Sequence, residues 1–185
     1  KTHPVAFLSG ALVVVAVCAL LSLYTIGTTA AYDGNDLGTV SGIRTVNAVV
    51  DDLENITRET LGDEDYTVDM DKLDTQVGVV RRQSVESREE FVDNLSDELG
   101  MVEYAYALYI DGEPVAATTF PGALDELLDQ LKKGYITANT VDSYFVENVE
   151  IKQEYVDASL VMNLGNIAEI LNATKAGEVT YTVQA

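Results

Sequence analysis

The sequence predicts an α+β protein: one N-terminal transmembrane helix, then two tandem small α+β repeats with antiparallel sheets, each ordered hairpin, helix, strand, helix. Three observations predict it. An apolar run without a charged residue opens the chain, between His3 and Asp33. Asp-Gly stands between apolar-flanked runs twice, in "AYDGNDLG" and in "YIDGEPVA", 78 residues apart. An apolar pattern of helical and strand character then recurs at nearly the same spacing. Hydrophobic residues make up 47% of the 185, enough for packed cores, and the lone Cys18 leaves no internal disulfide to help them.

The apolar run comes first. Val5 to Ile26 is 22 residues, and about 20 apolar residues cross a bilayer core as a helix. In hydrocarbon the backbone must pair with itself, which makes a helix the expected form. Cys18 falls in this run and is expected to face lipid or another helix. Lys1 precedes the run; the other 10 bases and all 31 acids follow, so the body carries 10 − 31 = −21. Basic residues favour the cytoplasmic side, which puts the N-terminus inside and everything after Gly27 outside the cell. A cleaved signal is the alternative, with Thr28–Ala30 resembling a cleavage site. The run exceeds the roughly 7–15 apolar residues of such signals, which favours an uncleaved anchor.

The first repeat follows. Asp33-Gly34 is a hairpin turn, because a type I′ turn needs positive φ at both central residues and Asp and Gly tolerate it. The hairpin is expected at 28–41, a helix at 45–60, a strand at 66–81 and a second helix at 87–99. Ser87 and Glu90 form a capping box at the start of that helix. The second repeat has Asp111-Gly112 at its turn, a hairpin at 103–119, helices at 122–133 and 163–174, and a strand at 141–156. Pro121 suits the first turn of a helix, and Gly134 and Gly177 suit helix ends.

Shared pattern ties the repeats together. At an offset of 78, Leu37 falls on Val115, and Val46, Val49, Val50 and Leu53 fall on Leu124, Leu127, Leu128 and Leu131. That i, i+3, i+4, i+7 spacing is one stripe of a helix packed on a sheet. At an offset of 76, Val68, Met70 and Leu73 fall on Tyr144, Val146 and Val149, and Phe91, Val92 and Leu95 on Ile167, Ala168 and Leu171. A small deletion accounts for the change of two. The predicted organisation is a cytoplasmic stub and anchor at 1–27, repeats at 28–102 and 103–179, and a final strand at 180–185. The start on Lys1 and the end on Ala185, inside a run of strand character, are expected of a piece of a longer protein.

The composition excludes several functions. With 31 Asp and Glu against 11 Lys and Arg, nucleic acid is not an expected partner. The charge also disfavours peripheral docking on anionic lipid, and Arg81, Arg82 and Arg88 read as a solvated strand end. The only His is His3 and the only Cys lies in the apolar run, so Ser-His-Asp, Cys-nucleophile and His/Cys zinc chemistry are not expected in the body. No catalytic, cofactor-binding or metal-ligating residue is assigned, and no cofactor is expected in this chain. The acidic loop at 62–74 holds Asp63, Glu64, Asp65, Asp69, Asp71 and Asp74, but from Asp69 the sixth and twelfth positions are Asp74 and Val80, which breaks the calcium-loop pattern. Tyr104 and Tyr106 share one strand face and Tyr109 takes the other; ordinary sheet packing is favoured over a carbohydrate platform.

The chain resembles the N-terminal region of membrane-anchored cell-wall peptidases of clostridia-like bacteria. The likeness rests on "HPVAFLSGALVVVAV" at the anchor, "YALYIDGEPVA" at the second hairpin, "VDSYFVENVEI" at the long strand and "EVTYTVQA" at the end. In that family a span and duplicated α+β modules precede a LysM or G5 module and an M23 (LytM-type) zinc peptidase. The resemblance implies that 180–185 leads into a LysM-like module and that this chain is a non-catalytic spacer or scaffold on the outer face of the membrane. The full-length protein would then be a zinc metalloendopeptidase, its contacts with peptidoglycan or a wall-associated protein lying in downstream modules. No functional residue carries over from the family. The alternative function is a membrane-anchored protein-interaction or sensor ectodomain with no enzymatic partner domain.

Overall fold

The computed structural model describes residues 14, 15, 17–134, 136–138 and 140–173. The chain divides into two compact units, Lys1–Gly100 and Met101–Ala185. Each is α+β with a three-stranded antiparallel sheet. Gly177 and the run Val179–Ala185 lie outside the described residues, as do residues 1–13 and Ala16 of the expected span.

In the first unit β1 (Tyr24–Tyr32) and β2 (Asn35–Val40) form the hairpin, followed by α1 (Ile43–Leu61), β3 (Leu73–Arg81) and α2 (Arg88–Leu99). In the second unit β4 (Val102–Ile110) and β5 (Glu113–Thr118) form the hairpin, followed by α3 (Ala123–Lys133), β6 (Val149–Asp157) and α4 (Leu164–Ala173). The strand orders are β2-β1-β3 and β5-β4-β6, so the first strand of each unit is the central one.

The two units match residue for residue in their ladders. Thr28 pairs with Val40, and Tyr106 with Thr118. Tyr24 pairs with Arg81, and Val102 with Asp157. Each hairpin slips register once, at Ala30/Ala31 and at Leu108/Tyr109. These are β-bulges, in which one extra residue bends a strand and strengthens its twist. The extra residues, Leu37 and Val115, are the first pair of the 78-residue comparison. After each third strand a 3₁₀ turn follows, at Arg82–Ser84 and Ala158–Leu160.

Several boundaries differ from expectation. The apolar run does not stay helical to Ile26. Val14, Val15 and residues 17–23 are helical, but Tyr24, Thr25 and Ile26 belong to β1 and pair with Arg81, Val80 and Val79. No helix among the described residues is long and apolar enough to cross a membrane. Tyr, Thr and Ile fit a pleated strand as readily as an apolar helix, and the partner strand decides between them. The third strands begin at 73 and 149, not at 66 and 141. Each central strand has nine residues, and residues upstream of its partner have nothing to pair with. A 3₁₀ turn, Met70–Lys72, fills that stretch in the first unit. Pro121 stands before the N-cap Gly122 and so outside α3.

Packing follows the amphipathic stripes. In α1, Val46, Val49, Val50 and Leu53 are buried, with Leu37, Val40, Phe91 and Leu95 from neighbouring elements. In the second unit Leu108, Ala116, Leu124, Leu128 and Ile167 form the core, and Leu127, Phe145, Ile151 and Leu171 pack around it. The match of Val68 with Tyr144 fails here: Val68 is buried, Tyr144 is exposed, and Phe145 turns inward in its place. With 11 residues against the 19 of α1, α3 covers less of its sheet.

Phe91 is fully buried in the first unit. Phe91→Ala removes its ring and leaves a cavity, and a loss of about 3–5 kcal/mol in urea unfolding of the whole chain is expected. A loss within error of zero would contradict the packing described.

Candidate functional site

The two turn motifs sit where the third strands begin. Asp33 (φ 50°) and Gly34 (φ 87°) are matched by Asp111 (φ 54°) and Gly112 (φ 87°), the pair of positive φ values a type I′ turn demands. The Asp33 N–H donates to the Lys72 carbonyl at 2.9 Å, and its carboxylate lies 3.7 Å from Lys72 Nζ. The Asp111 N–H donates to the Asn148 carbonyl at 2.8 Å, and its Oδ1 accepts from the Asn148 N–H at 2.9 Å. Both aspartates thus fasten the hairpin tip to the residue just before the third strand. Asn148 also donates to Glu150 Oε1 at 2.7 Å, which with Lys152 holds that carboxyl below its ordinary pKa.

Ser87 and Glu90 close the capping box. Ser87 Oγ accepts from the Glu90 N–H at 3.1 Å, and Glu90 Oε2 accepts from the Ser87 N–H at 2.9 Å. In that same first turn of α2, Arg88 pairs with Asp52 of α1. Asn94 Nδ2 donates to the Leu37 carbonyl at 3.1 Å and to Glu86 Oε2 at 3.4 Å.

Glu86 was not singled out by sequence. Its N–H donates to the Thr39 carbonyl at 2.8 Å, alongside the edge of β2. Its carboxylate lies over Gly38, where a Cβ would come within 1.9 Å of Oε2; Gly38 also has φ 97°, which glycine accepts at no steric cost. Burial, then the Glu90 and Asp36 carboxylates, raise the Glu86 pKa. The equivalent residues in the second unit are Met162 and Ala116. Met162 repeats the backbone bond, to the Ala117 carbonyl at 3.0 Å, but packs on the core as an apolar side chain. The only local signal was a glycine paired by offset with an alanine.

Two carboxylates of the acidic loop accept from its own backbone. Asp63 Oδ1 accepts from the Asp65 N–H at 3.2 Å, and Asp69 Oδ1 from the Asp71 N–H at 3.1 Å. Among the described residues no group of three or more His, Cys, Asp or Glu is placed to hold a metal ion. The tyrosines are engaged with neighbours. Tyr104 lies against Tyr155 with ring centroids 5.1 Å apart, and Tyr106 packs on the core of the second unit. Lys152 Nζ stands 4.1 Å from the centroid of the Tyr109 ring, a cation–π contact. A hydrogen bond with Glu154, and then burial, raise the Tyr109 phenol.

No family model, curated protein or solved structure matches this chain.

Two predictions follow from the geometry at α2. Ser87→Ala removes the cap and is expected to cost about 1 kcal/mol, read as a lower urea midpoint at unchanged slope; an unchanged midpoint would contradict it. Glu86 binds its proton more tightly in the native chain than in the unfolded one. Its stabilising contribution is therefore present below the ordinary Glu range and is lost as pH rises through the raised value. Glu86→Gln is expected to be more stable than the parent at neutral pH, with the difference shrinking in acid. A pH-independent difference would rule that out.

Proposed function

We propose that this chain is the membrane-tethered, extracytoplasmic spacer region of a peptidoglycan hydrolase of the LytM type, itself non-catalytic. Its N-terminus is cytoplasmic, the apolar run 5–26 meets the bilayer, and the two units stand outside the cell. The observation that carries this reading is the repetition of one unit behind an uncharged apolar run. The polar side chains that sequence singled out serve turns, caps and strand closure: Asp33 on Lys72, Asp111 on Asn148, Ser87 on Glu90. A module built twice in series suits a role in setting distance and presentation, since each copy extends the chain without new chemistry. The resemblance to anchored wall peptidases supplies the wall context.

The reading is tested by expressing the whole chain in a Gram-positive host. It is expected to stay with the membrane fraction through an alkaline carbonate wash, to be digested by protease added to protoplasts, and to leave the turbidity of a purified wall suspension unchanged. Recovery in the soluble cytoplasm would sink the tether. Clearing of the wall suspension by the purified chain would sink the non-catalytic role.

A further inference from the structure

The two units share a backbone but differ sharply along one strip. In the first unit Ile26, Val77 and Val79 are 67%, 63% and 74% exposed. Ile26 pairs with Val79 and Thr28 with Val77, and directly opposed residues of an antiparallel pair share a face. That face is buried further along β1, at Thr28, Ala30 and Tyr32. The helices pack over β2, and the aliphatic strip on the β3 side stays open. β3 is also an edge strand, where proteins usually avoid exposed aliphatic residues. In the second unit the equivalent positions are Tyr104, Gln153 and Tyr155, with the two rings packed on each other.

The charges differ in the same sense. Arg81 ends β3 and Arg82 begins the 3₁₀ turn after it; their equivalents are Asp157 and Ala158. Arg82 is tied to the helical residues that precede β1. Its Nε donates to the Ser22 carbonyl and its Nη2 to the Leu21 carbonyl, each at 3.3 Å. A guanidinium there meets the unpaired carbonyls of a helix end. Residue 23 is helical and residue 24 is already strand, so no linker separates the apolar run from the sheet. Leu21, Tyr24, Thr25, Ile26, Val79 and Arg82 line one shallow, open recess at that junction.

We infer that the open strip of the first unit, Ile26, Val77 and Val79 with Tyr24, Arg81 and Arg82, lies on the outer leaflet of the membrane that the apolar run enters. This rests on the tether proposed above. The side chains suit the depth they would occupy: aliphatic residues toward the acyl boundary, Tyr24 at headgroup level, and arginines among lipid phosphates. The strip continues the exposed aliphatic surface of Leu20, Leu21 and Leu23. The chain's net charge of −20 does not forbid this, because screening at physiological salt limits a charge's reach to about 8 Å. What counts is the Arg pair at the surface itself.

The test uses the whole chain with Cys18→Ala, carrying Val77→Cys or its counterpart Gln153→Cys, each labelled with an environment-sensitive fluorophore. The chain is reconstituted into phosphatidylglycerol–phosphatidylcholine vesicles with or without lipids spin-labelled near the headgroup. The label at 77 is expected to emit to the blue of the label at 153 and to be quenched several-fold more strongly. Arg81→Glu is expected to reduce quenching at 77 while the chain remains in vesicles through an alkaline wash. Retained chain with equal quenching at 77 and 153 would overturn the inference and leave the tether standing. Chain washed off the vesicles would overturn both. A blue shift at 77 that grows with protein density and ignores spin-labelled lipid would assign the strip to a second copy and overturn the lipid assignment.

Discussion

Each unit depends on a central strand paired on both sides. Among the described residues β1 and β4 alone have two partners in their sheets, and each is matched along all nine residues by the third strand. That pairing sets the rest. The positive-φ Asp-Gly turn returns the chain as the second strand, and the bulge midway along that strand re-aims it. The third strand has only as many residues as the central strand can serve. Its start is fastened to the hairpin tip, which Asp33 and Asp111 do through different partners, Lys72 and Asn148. With one strand side-paired twice, neither core needs a disulfide: burial of Phe91 and Leu95, or of Leu108 and Ile167, finishes each unit.

Sequence revealed what is local. Asp-Gly between apolar runs, the i, i+3, i+4, i+7 stripe of α1 and the Ser87/Glu90 box are encoded within a few residues, and each is found where its chemistry places it. Features that require a distant partner were not legible. Nothing near Tyr66 or Val141 says that the strand is not yet there, because the limit is the length of β1 and β4. Tyr24–Ile26 read as the end of an apolar helix because composition cannot show that Arg81, Val80 and Val79 lie opposite. Glu86 over Gly38 and Arg82 on the Leu21 and Ser22 carbonyls join residues far apart in the chain, and no pattern of spacing announces them.

The comparison of the two copies separates scaffold from chemistry. The backbone bond from residue 86 to Thr39 is repeated from 162 to Ala117, yet a partly buried glutamate in one copy is, in the other, a partly buried methionine packed against the core. The strand end carries Arg81 and Arg82 in one copy and Asp157 and Ala158 in the other. Main-chain hydrogen bonds tolerate such exchanges because they do not depend on side chains. The two equivalent units thus keep one main-chain scaffold and part company in side chains at these positions. In the unit that follows the apolar run, those positions include the exposed Ile26, Val77 and Val79, the basic Arg81 and Arg82, and the acidic Glu86.

The central claim is that one fold, built on a doubly paired strand, occurs twice. Solution NMR of the whole chain in detergent micelles tests it through cross-strand nuclear Overhauser effects. Contacts are predicted between Ala30 and Thr75 and, at the equivalent positions, between Leu108 and Ile151. Both sets present, with strong amide protection along β1 and β4, is the expected result. Finding the pairing in one unit and not in the other would mean that the second copy of the pattern does not fold as the first, and the account would be wrong at its base.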